Sequence, residues 1–124
     1  MCTNACPCGS TLSYQTCCAR YHHQGMHAKT VEALMRSRYS AYVLCDAEYL
    51  MKTWTPTNRP VLDKENLAAT QWLKLEVIQS KQGLKQGTVE FKAYYLEEGN
   101  ECLLHEHSLF KKTKNRWCYV SALS

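Results

Sequence analysis

Hydrophobic residues in the first half of the chain recur every three or four positions. They form one stripe, made of Val31, Leu34, Met35, Tyr39 and Tyr42. Because an α-helix turns once in about 3.6 residues, this spacing predicts an amphipathic helix over residues 30–44. Asp46 is a suitable N-cap for a second short helix, which Pro56 ends. A third short helix is predicted between Pro60 and Thr70.

The hydrophobic period changes to two after Gln71. Apolar and polar residues alternate from there on, as in strands with one buried face, and turn residues interrupt them. The pattern predicts four antiparallel strands, over residues 72–80, 87–97, 101–112 and 116–122. Helices followed by strands describe an α+β fold in which the helices cover one face of the sheet.

Composition leaves one anomaly, the cysteines. The length of 124 residues fits one domain with a small appendage, and 45% hydrophobic with 21% charged residues is ordinary for a globular protein. A net charge of +4 is too weak on its own to indicate nucleic-acid binding. We find no leader-like start and no apolar run near the ~18 residues of a membrane span, so we expect a cytoplasmic protein. Eight cysteines are unusual in such a chain.

Five of the eight cysteines fall within the first 18 residues. A secreted disulfide framework would spread its cysteines along the chain, and a disulfide between neighbouring residues would be strained. Dense thiols in a reducing compartment indicate a metal instead, and four of them complete the tetrahedral coordination of a structural zinc ion. The predicted ligands are Cys6, Cys8, Cys17 and Cys18. His22 is an alternative that could replace one of these cysteines as a ligand. Cys2 lies outside the pattern.

Residues 6–18 read Cys-Pro-Cys-Gly-Ser-Thr-Leu-Ser-Tyr-Gln-Thr-Cys-Cys. They resemble the SEC-C motif, the zinc module at the C-terminus of the SecA translocation ATPase, in the spacing of both cysteine pairs and at Gly9, Ser10 and Tyr14. The fourth ligand of that motif is often histidine, and Cys18 occupies the matching position here. The resemblance implies one structural zinc ion in a partner-binding module, which we expect to span residues 1–27.

A second resemblance covers nearly the whole chain. Six blocks, at residues 34–42, 46–50, 53–56, 87–91, 105–110 and 117–120, are similar to the YchJ family of bacterial proteins. That family joins an N-terminal SEC-C module to an NTF2-like, cystatin-like α+β domain. The resemblance therefore implies, over residues 28–124, helices packed on a curved four-stranded sheet that forms a cone. Its members are largely uncharacterised, so it implies a fold and a metal but no reaction.

The chain departs from the YchJ pattern in two places. Thr55 stands where the family usually has the histidine of a Trp-His-Pro sequence, so any chemistry of that histidine is absent. Some members also carry a second SEC-C module at the C-terminus, which this sequence lacks.

Several polar residues are candidates for a ligand pocket in the expected cone. Arg38 falls within the apolar stripe of the first helix, where a guanidinium needs an anionic partner. We expect an ion pair with Glu106, while an anion-binding cleft or a guanidinium that reaches solvent remain alternatives. Tyr42, Trp54 and Ser108 complete the candidate pocket.

Two functions of different classes fit these features. The first is a non-catalytic interaction or scaffold protein whose zinc module presents a surface to a protein or ribonucleoprotein partner, because four cysteines leave no coordination position for a catalytic water. The alternative is a small-molecule binder or enzyme that uses the cone, with Glu106 or Glu90 as a buried carboxylate. A thiol redox role has less support, because Cys-x-Cys lacks the thioredoxin-like spacing.

The first predicted strand bears on self-association. Simple alternation places Trp72 and Ile78 on one face and Leu73 and Val77 on the other, so both faces are apolar. This arrangement suits a homodimer through the open face of the sheet, and equally a helix packed across its back.

Overall fold

Helices precede strands along the chain, as the sequence pattern predicts. The computed structural model describes residues 5–123; Cys2, with the rest of residues 1–4, and Ser124 lie outside the described residues. The helices are α1 (Ala19–His22), α2 (Val31–Val43), α3 (Ala47–Lys52) and α4 (Lys64–Ala68). The strands are β1 (Gln71–Gln82), β2 (Gln86–Glu97), β3 (Asn100–Thr113) and β4 (Arg116–Ala122). Single 3-10 turns lie at Tyr14–Thr16 and Pro56–Asn58.

Side-chain caps define where three of the helices begin. Thr30 accepts a hydrogen bond from the backbone N–H of Ala33, and Asp46 accepts one from that of Tyr49. Asp63 caps α4 in the same way. Each cap satisfies an N–H group that the first helical turn leaves without a backbone partner. The predicted boundaries of α2 and the predicted cap of α3 are confirmed.

The four strands form one antiparallel sheet in the order β1-β2-β3-β4. Their bounds agree with the predicted strands to within two residues. The predicted faces of β1 are partly wrong, because a bulge between Trp72 and Lys74 shifts the alternation by one residue. Trp72 therefore packs against the core, whereas Leu73 and Ile78 are exposed.

Helix α2 lies across the inner face of the sheet and organises the core. The main cluster consists of Val31, Leu34, Met35, Tyr39, Val89, Phe91, Ala93, Phe110 and Trp117. A second cluster, made of Ala41, Ala47, Tyr49, Leu50 and Leu67, joins α2 to α3 and α4. Ser37 and Ser40, on the polar side of the predicted stripe, are also fully buried. The sequence predicts an amphipathic helix with one buried face. This prediction is incomplete, because α2 is covered on more than one side.

None of the helices within residues 5–123 is both long enough and apolar enough to cross a membrane.

Candidate functional site

A tight loop brings the first cysteine pair together. The backbone N–H of Cys6 donates to the carbonyl of Leu12 at 2.8 Å, and that of Gly9 donates to the carbonyl of Cys6 at 3.2 Å. Gly9 has a φ of 83°, a conformation that glycine adopts without a steric penalty. The second pair precedes α1 directly, where Cys18 is the N-cap residue. The second pair therefore lies at the start of this short helix.

The four cysteine sulfurs form a compact buried cluster. The Sγ atoms of Cys6, Cys8, Cys17 and Cys18 all lie within 4.8 Å of one another. The Cys8–Cys17 distance is 3.7 Å and the Cys17–Cys18 distance is 4.0 Å. A zinc–sulfur bond of about 2.3 Å gives a tetrahedron with edges of about 3.8 Å, so the spacing is compatible with one metal ion. All four side chains are buried, and none of the cysteines within residues 5–123 forms a disulfide.

The electrostatics of the cluster favour a cation at its centre. A hydrogen bond from Cys18 lowers the pKa of Cys8 to about 4, while the same contact raises the pKa of Cys18. Burial raises the pKa of Cys17. Without a metal, one thiolate is thus stabilised by protons on its neighbours, because four adjacent negative charges repel one another. A bound dication replaces those protons and makes four thiolates compatible with burial.

Polar contacts fasten the cysteine module, here defined as residues 5–23, to helix α2. The Ser40 hydroxyl lies 3.4 Å from the Cys6 sulfur and 3.3 Å from the Cys18 sulfur. Arg36 Nη1 donates to the carbonyl of Cys8 at 2.7 Å, while its Nε pairs with Glu32 at 3.0 Å. The module therefore covers the polar side of α2, which explains why serines there are buried.

His22 is part of this contact and does not join the sulfur cluster. Its Nε2 lies 2.8 Å from the Ser37 carbonyl, and its Nδ1 lies 2.6 Å from the Tyr14 hydroxyl. Burial lowers the pKa of His22, which favours the neutral ring with Nε2 as donor and Nδ1 as acceptor. Because both ring nitrogens have other partners, His22 is not the substitute ligand that the sequence left open.

A cavity lies between α2 and the inner face of the sheet. Its volume is about 160 Å³, and four of the candidate pocket residues line it: Arg38, Tyr42, Glu106 and Ser108. The expected ion pair between Arg38 and Glu106 is wrong, because within residues 5–123 the ion pairs are Arg36–Glu32 and His105–Glu90. Tyr119 stands between the two charges, with its ring centroid 4.7 Å from the Arg38 guanidinium carbon and its hydroxyl 3.0 Å from Glu106.

The two other candidates lie away from the cavity wall. Trp54 is outside the lining and packs against Arg38, whose guanidinium carbon is 4.9 Å from the indole centroid. Glu90 projects from the opposite face of the sheet, where its Oε2 contacts His105 Nε2 at 2.8 Å. Since adjacent residues of a strand point to opposite faces and Phe91 is in the core, Glu90 cannot serve the cavity.

Comparisons with known proteins agree with this arrangement. The family described as "YchJ, middle NTF2-like domain" matches residues 30–122, and the SEC-C motif matches residues 3–20. The chain belongs to the YchJ family. A UPF0225 protein of Bordetella parapertussis is 44% identical over 119 residues, which cover 94% of this chain and 90% of the relative.

Two solved structures support the YchJ fold. A SEC-C motif containing protein from Rhodopseudomonas palustris, determined in solution, is 35% identical, with a TM-score of 0.87, and the match covers 96% of this chain and 97% of that one. A crystal structure of a SEC-C motif containing protein from Psychrobacter arcticus is 32% identical, with a TM-score of 0.79 and coverage of 98% and 84%. The predicted NTF2-like α+β fold and the YchJ resemblance are therefore confirmed.

Sequence reasoning missed three residues that shape the two sites of this YchJ protein. Tyr119 separates Arg38 from Glu106, and its position depends on a bulge between Leu109 and Phe110 that shifts the β3–β4 register. Ser40 and Arg36 hold the cysteine module on α2. Their signal was weak, since a serine or an arginine on a helix is usually a solvent-exposed residue.

Proposed function

We propose that Cys6, Cys8, Cys17 and Cys18 hold one structural zinc ion. We further propose that the module ordered by this ion presents a non-catalytic binding surface to a protein or ribonucleoprotein partner in the cytoplasm. The observation that carries the proposal is the set of four buried sulfurs within 4.8 Å of one another. Zinc supplies the positive charge that four thiolates need and links the two ends of the module.

The donor set supports a structural role for the ion. Four thiolates fill a tetrahedral site, and soft sulfur ligands in this number select zinc or iron over magnesium or calcium. A catalytic zinc needs an open position for water or substrate, which a complete set of four cysteines does not provide. The hydrogen bonds from Ser10 and Ser40 to the sulfurs support the ligands from outside the cluster.

Exposed apolar side chains make the module suitable for a partner. Leu12, on the loop between the two cysteine pairs, is 51% exposed, and its backbone carbonyl is held by Cys6. Leu44, which follows α2 and adjoins the module, is 48% exposed and lies in a shallow groove with Pro7 and Tyr14. Rigid apolar residues of this kind bind a partner with little loss of conformational entropy.

Elemental analysis of protein purified without added metal tests the ion. The wild type is compared with Cys17→Ser/Cys18→Ser and with the matched control Cys102→Ser, which removes a thiol outside the cluster. We expect one zinc per chain in the wild type and in the control, and none in the double variant. A wild-type protein without zinc, or with iron in its place, contradicts the proposed zinc site.

Quantitative cross-linking in cells tests the binding surface. Leu12→Glu and Leu44→Glu are compared with Leu84→Glu, which places the same charge on the 91% exposed leucine of the β1–β2 turn. We expect the Leu12→Glu and Leu44→Glu variants to retain zinc and to lose most of the cross-links that the wild type forms, with the control unchanged. Cross-links that persist in both of these variants contradict this surface.

A further inference from the structure

The cavity beneath α2 has the size of a small ring compound. Its volume of about 160 Å³ is close to that of an engineered cavity of about 150 Å³ that binds benzene. Most of its wall is apolar or aromatic, formed by Met35, Tyr39, Trp72, Phe91, Ala93 and Leu104. Such a wall suits a flat, apolar body with few polar substituents.

Arg38 brings an uncompensated positive charge to this wall. The side chain is 3% exposed, and within residues 5–123 no carboxylate lies at ion-pair distance from it. Its two well-formed hydrogen bonds, to the Leu50 carbonyl at 2.9 Å and the Thr53 hydroxyl at 2.6 Å, both come from Nη1. The Tyr42 hydroxyl, which also lines the cavity, is a further polar partner of the guanidinium, so an anion that enters the cavity shares the remaining donors with Tyr42. Because a buried, unpaired charge is costly, an anion at this position is strongly favoured.

Aromatic rings hold the guanidinium in a fixed place. Its central carbon lies 4.9 Å from the Trp54 ring centroid and 4.7 Å from that of Tyr119. A guanidinium clamped by rings loses little further freedom when it binds a carboxylate through two parallel hydrogen bonds. The packing thus prepares Arg38 for a planar anion.

Glu106 supplies the second polar group of the cavity. Its Oε2 accepts hydrogen bonds from the Ser108 and Tyr119 hydroxyls, and within residues 5–123 Oε1 has no hydrogen-bond partner. The two hydroxyls fix the orientation of the carboxylate, and its Oε1 atom can accept a hydrogen bond from a ligand. Tyr119 contacts both Glu106 and Arg38, and the two charged groups form no ion pair, so the cavity offers a donor and an acceptor at separate points.

We propose that this cavity binds a small aromatic carboxylate that also carries a hydroxyl or amino group. Arg38 binds the carboxylate, Glu106 accepts a hydrogen bond from the ring substituent, and the aromatic wall covers the ring. Binding of this ligand does not involve the proposed zinc site, so it can be measured whatever the metal content of the protein.

Titration calorimetry with 3- and 4-hydroxybenzoate tests the proposal. Benzoate lacks the donor, and the two hydroxybenzamides lack the charge. We expect at least one hydroxybenzoate isomer to bind wild-type protein at a ratio of one per chain, and at least tenfold more tightly than benzoate and than its own amide. No binding of either isomer at millimolar concentration overturns the proposal, as does equal binding of the acids and the amides.

Two variants and a matched control assign the contacts. Arg38→Lys keeps the charge but loses the planar fork, so we expect at least tenfold weaker binding. In Glu106→Gln we expect the preference for hydroxybenzoate over benzoate to fall at least threefold. Glu90→Gln changes a carboxylate on the other face of the sheet and leaves both affinities unchanged. If Arg38→Lys does not fold, the test depends on the ratio of the affinities of Glu106→Gln for hydroxybenzoate and benzoate. A ratio equal to that of the wild type overturns the assignment.

Discussion

The cysteine module and the sheet domain are stabilised by different interactions. The module buries four sulfurs, and within residues 5–123 Tyr14 is the one further hydrophobic side chain of this cluster. The sheet domain buries a continuous apolar cluster that runs from α2 to β4. A segment of about twenty residues cannot bury enough apolar surface to fold alone, so we expect its order to depend on the contacts with α2 and on the proposed ion. From this difference we expect the module to depend on a metal and the sheet domain to be stable without one.

The largest expected effect is the loss of the module in Cys17→Ser/Cys18→Ser. Without its ligands the module should open, and trypsin should then cleave after Arg20 on the order of a hundredfold faster than in the wild type. Peptide mass spectrometry over a digestion time course measures the rate. Cys102→Ser is the control and should cleave at the wild-type rate. Equal rates in all three proteins would show that the module is ordered without the metal.

Phe110→Ala tests the other region. Phe110 is completely buried at the centre of the sheet domain, so truncation should lower the free energy of unfolding by about 3–5 kcal/mol. Urea unfolding monitored by circular dichroism measures the loss. The folded variant should retain its metal, because the cysteines do not contact this side chain. A parallel loss of metal would mean that the two regions depend on the same interactions.

A smaller effect is expected for Arg36→Met, which affects the boundary between the regions. The variant loses the charged hydrogen bond to the Cys8 carbonyl but keeps the aliphatic stem of the side chain. We expect about 1–3 kcal/mol lower stability of the module, measured by hydrogen exchange of its amides. Glu32→Gln removes only the half-buried ion pair and should cost about 0.5 kcal/mol or less. An equal loss of module stability in Arg36→Met and Glu32→Gln would show that the hydrogen bond to the Cys8 carbonyl does not contribute to it.

Ser40→Ala should have a modest effect, confined to the metal site. It removes the hydroxyl that lies near the Cys6 and Cys18 sulfurs without changing the volume of the helix much. We expect the affinity for zinc to fall about tenfold, in the range for groups that support metal ligands. Competition with a chromophoric chelator measures the affinity. An unchanged affinity would limit the role of Ser40 to packing.

Local pattern predicted most of the fold. The strands followed from a period of two, α2 from a period of three to four, and the start of α3 from the cap Asp46, because these signals depend only on neighbouring residues. The bulge at Trp72 was not predictable, since one extra residue in a strand leaves no mark on composition. It moved Leu73 to the exposed face and brought Trp72 into the core.

The two candidate sites differ in how completely they could be predicted from the sequence. The cysteine spacing was sufficient to predict the cluster, because all of its donors lie within 13 residues and their geometry is local. The cavity depends on contacts between α2, β3 and β4. The sequence suggested Glu106 as a partner of Arg38, but only the strand register could show that Tyr119 contacts both of them. Long-range packing of this kind is not encoded in any short pattern.

Hydrogen exchange of the wild-type protein with and without a strong chelator tests most directly that metal orders the module and apolar packing orders the sheet. After metal removal, confirmed by elemental analysis, the amides of Cys6, Gly9 and Tyr21 should exchange rapidly. Those of Val89, Phe91 and Phe110 should remain protected. Unchanged exchange in the module, or an equal loss of protection in the sheet, would contradict the account.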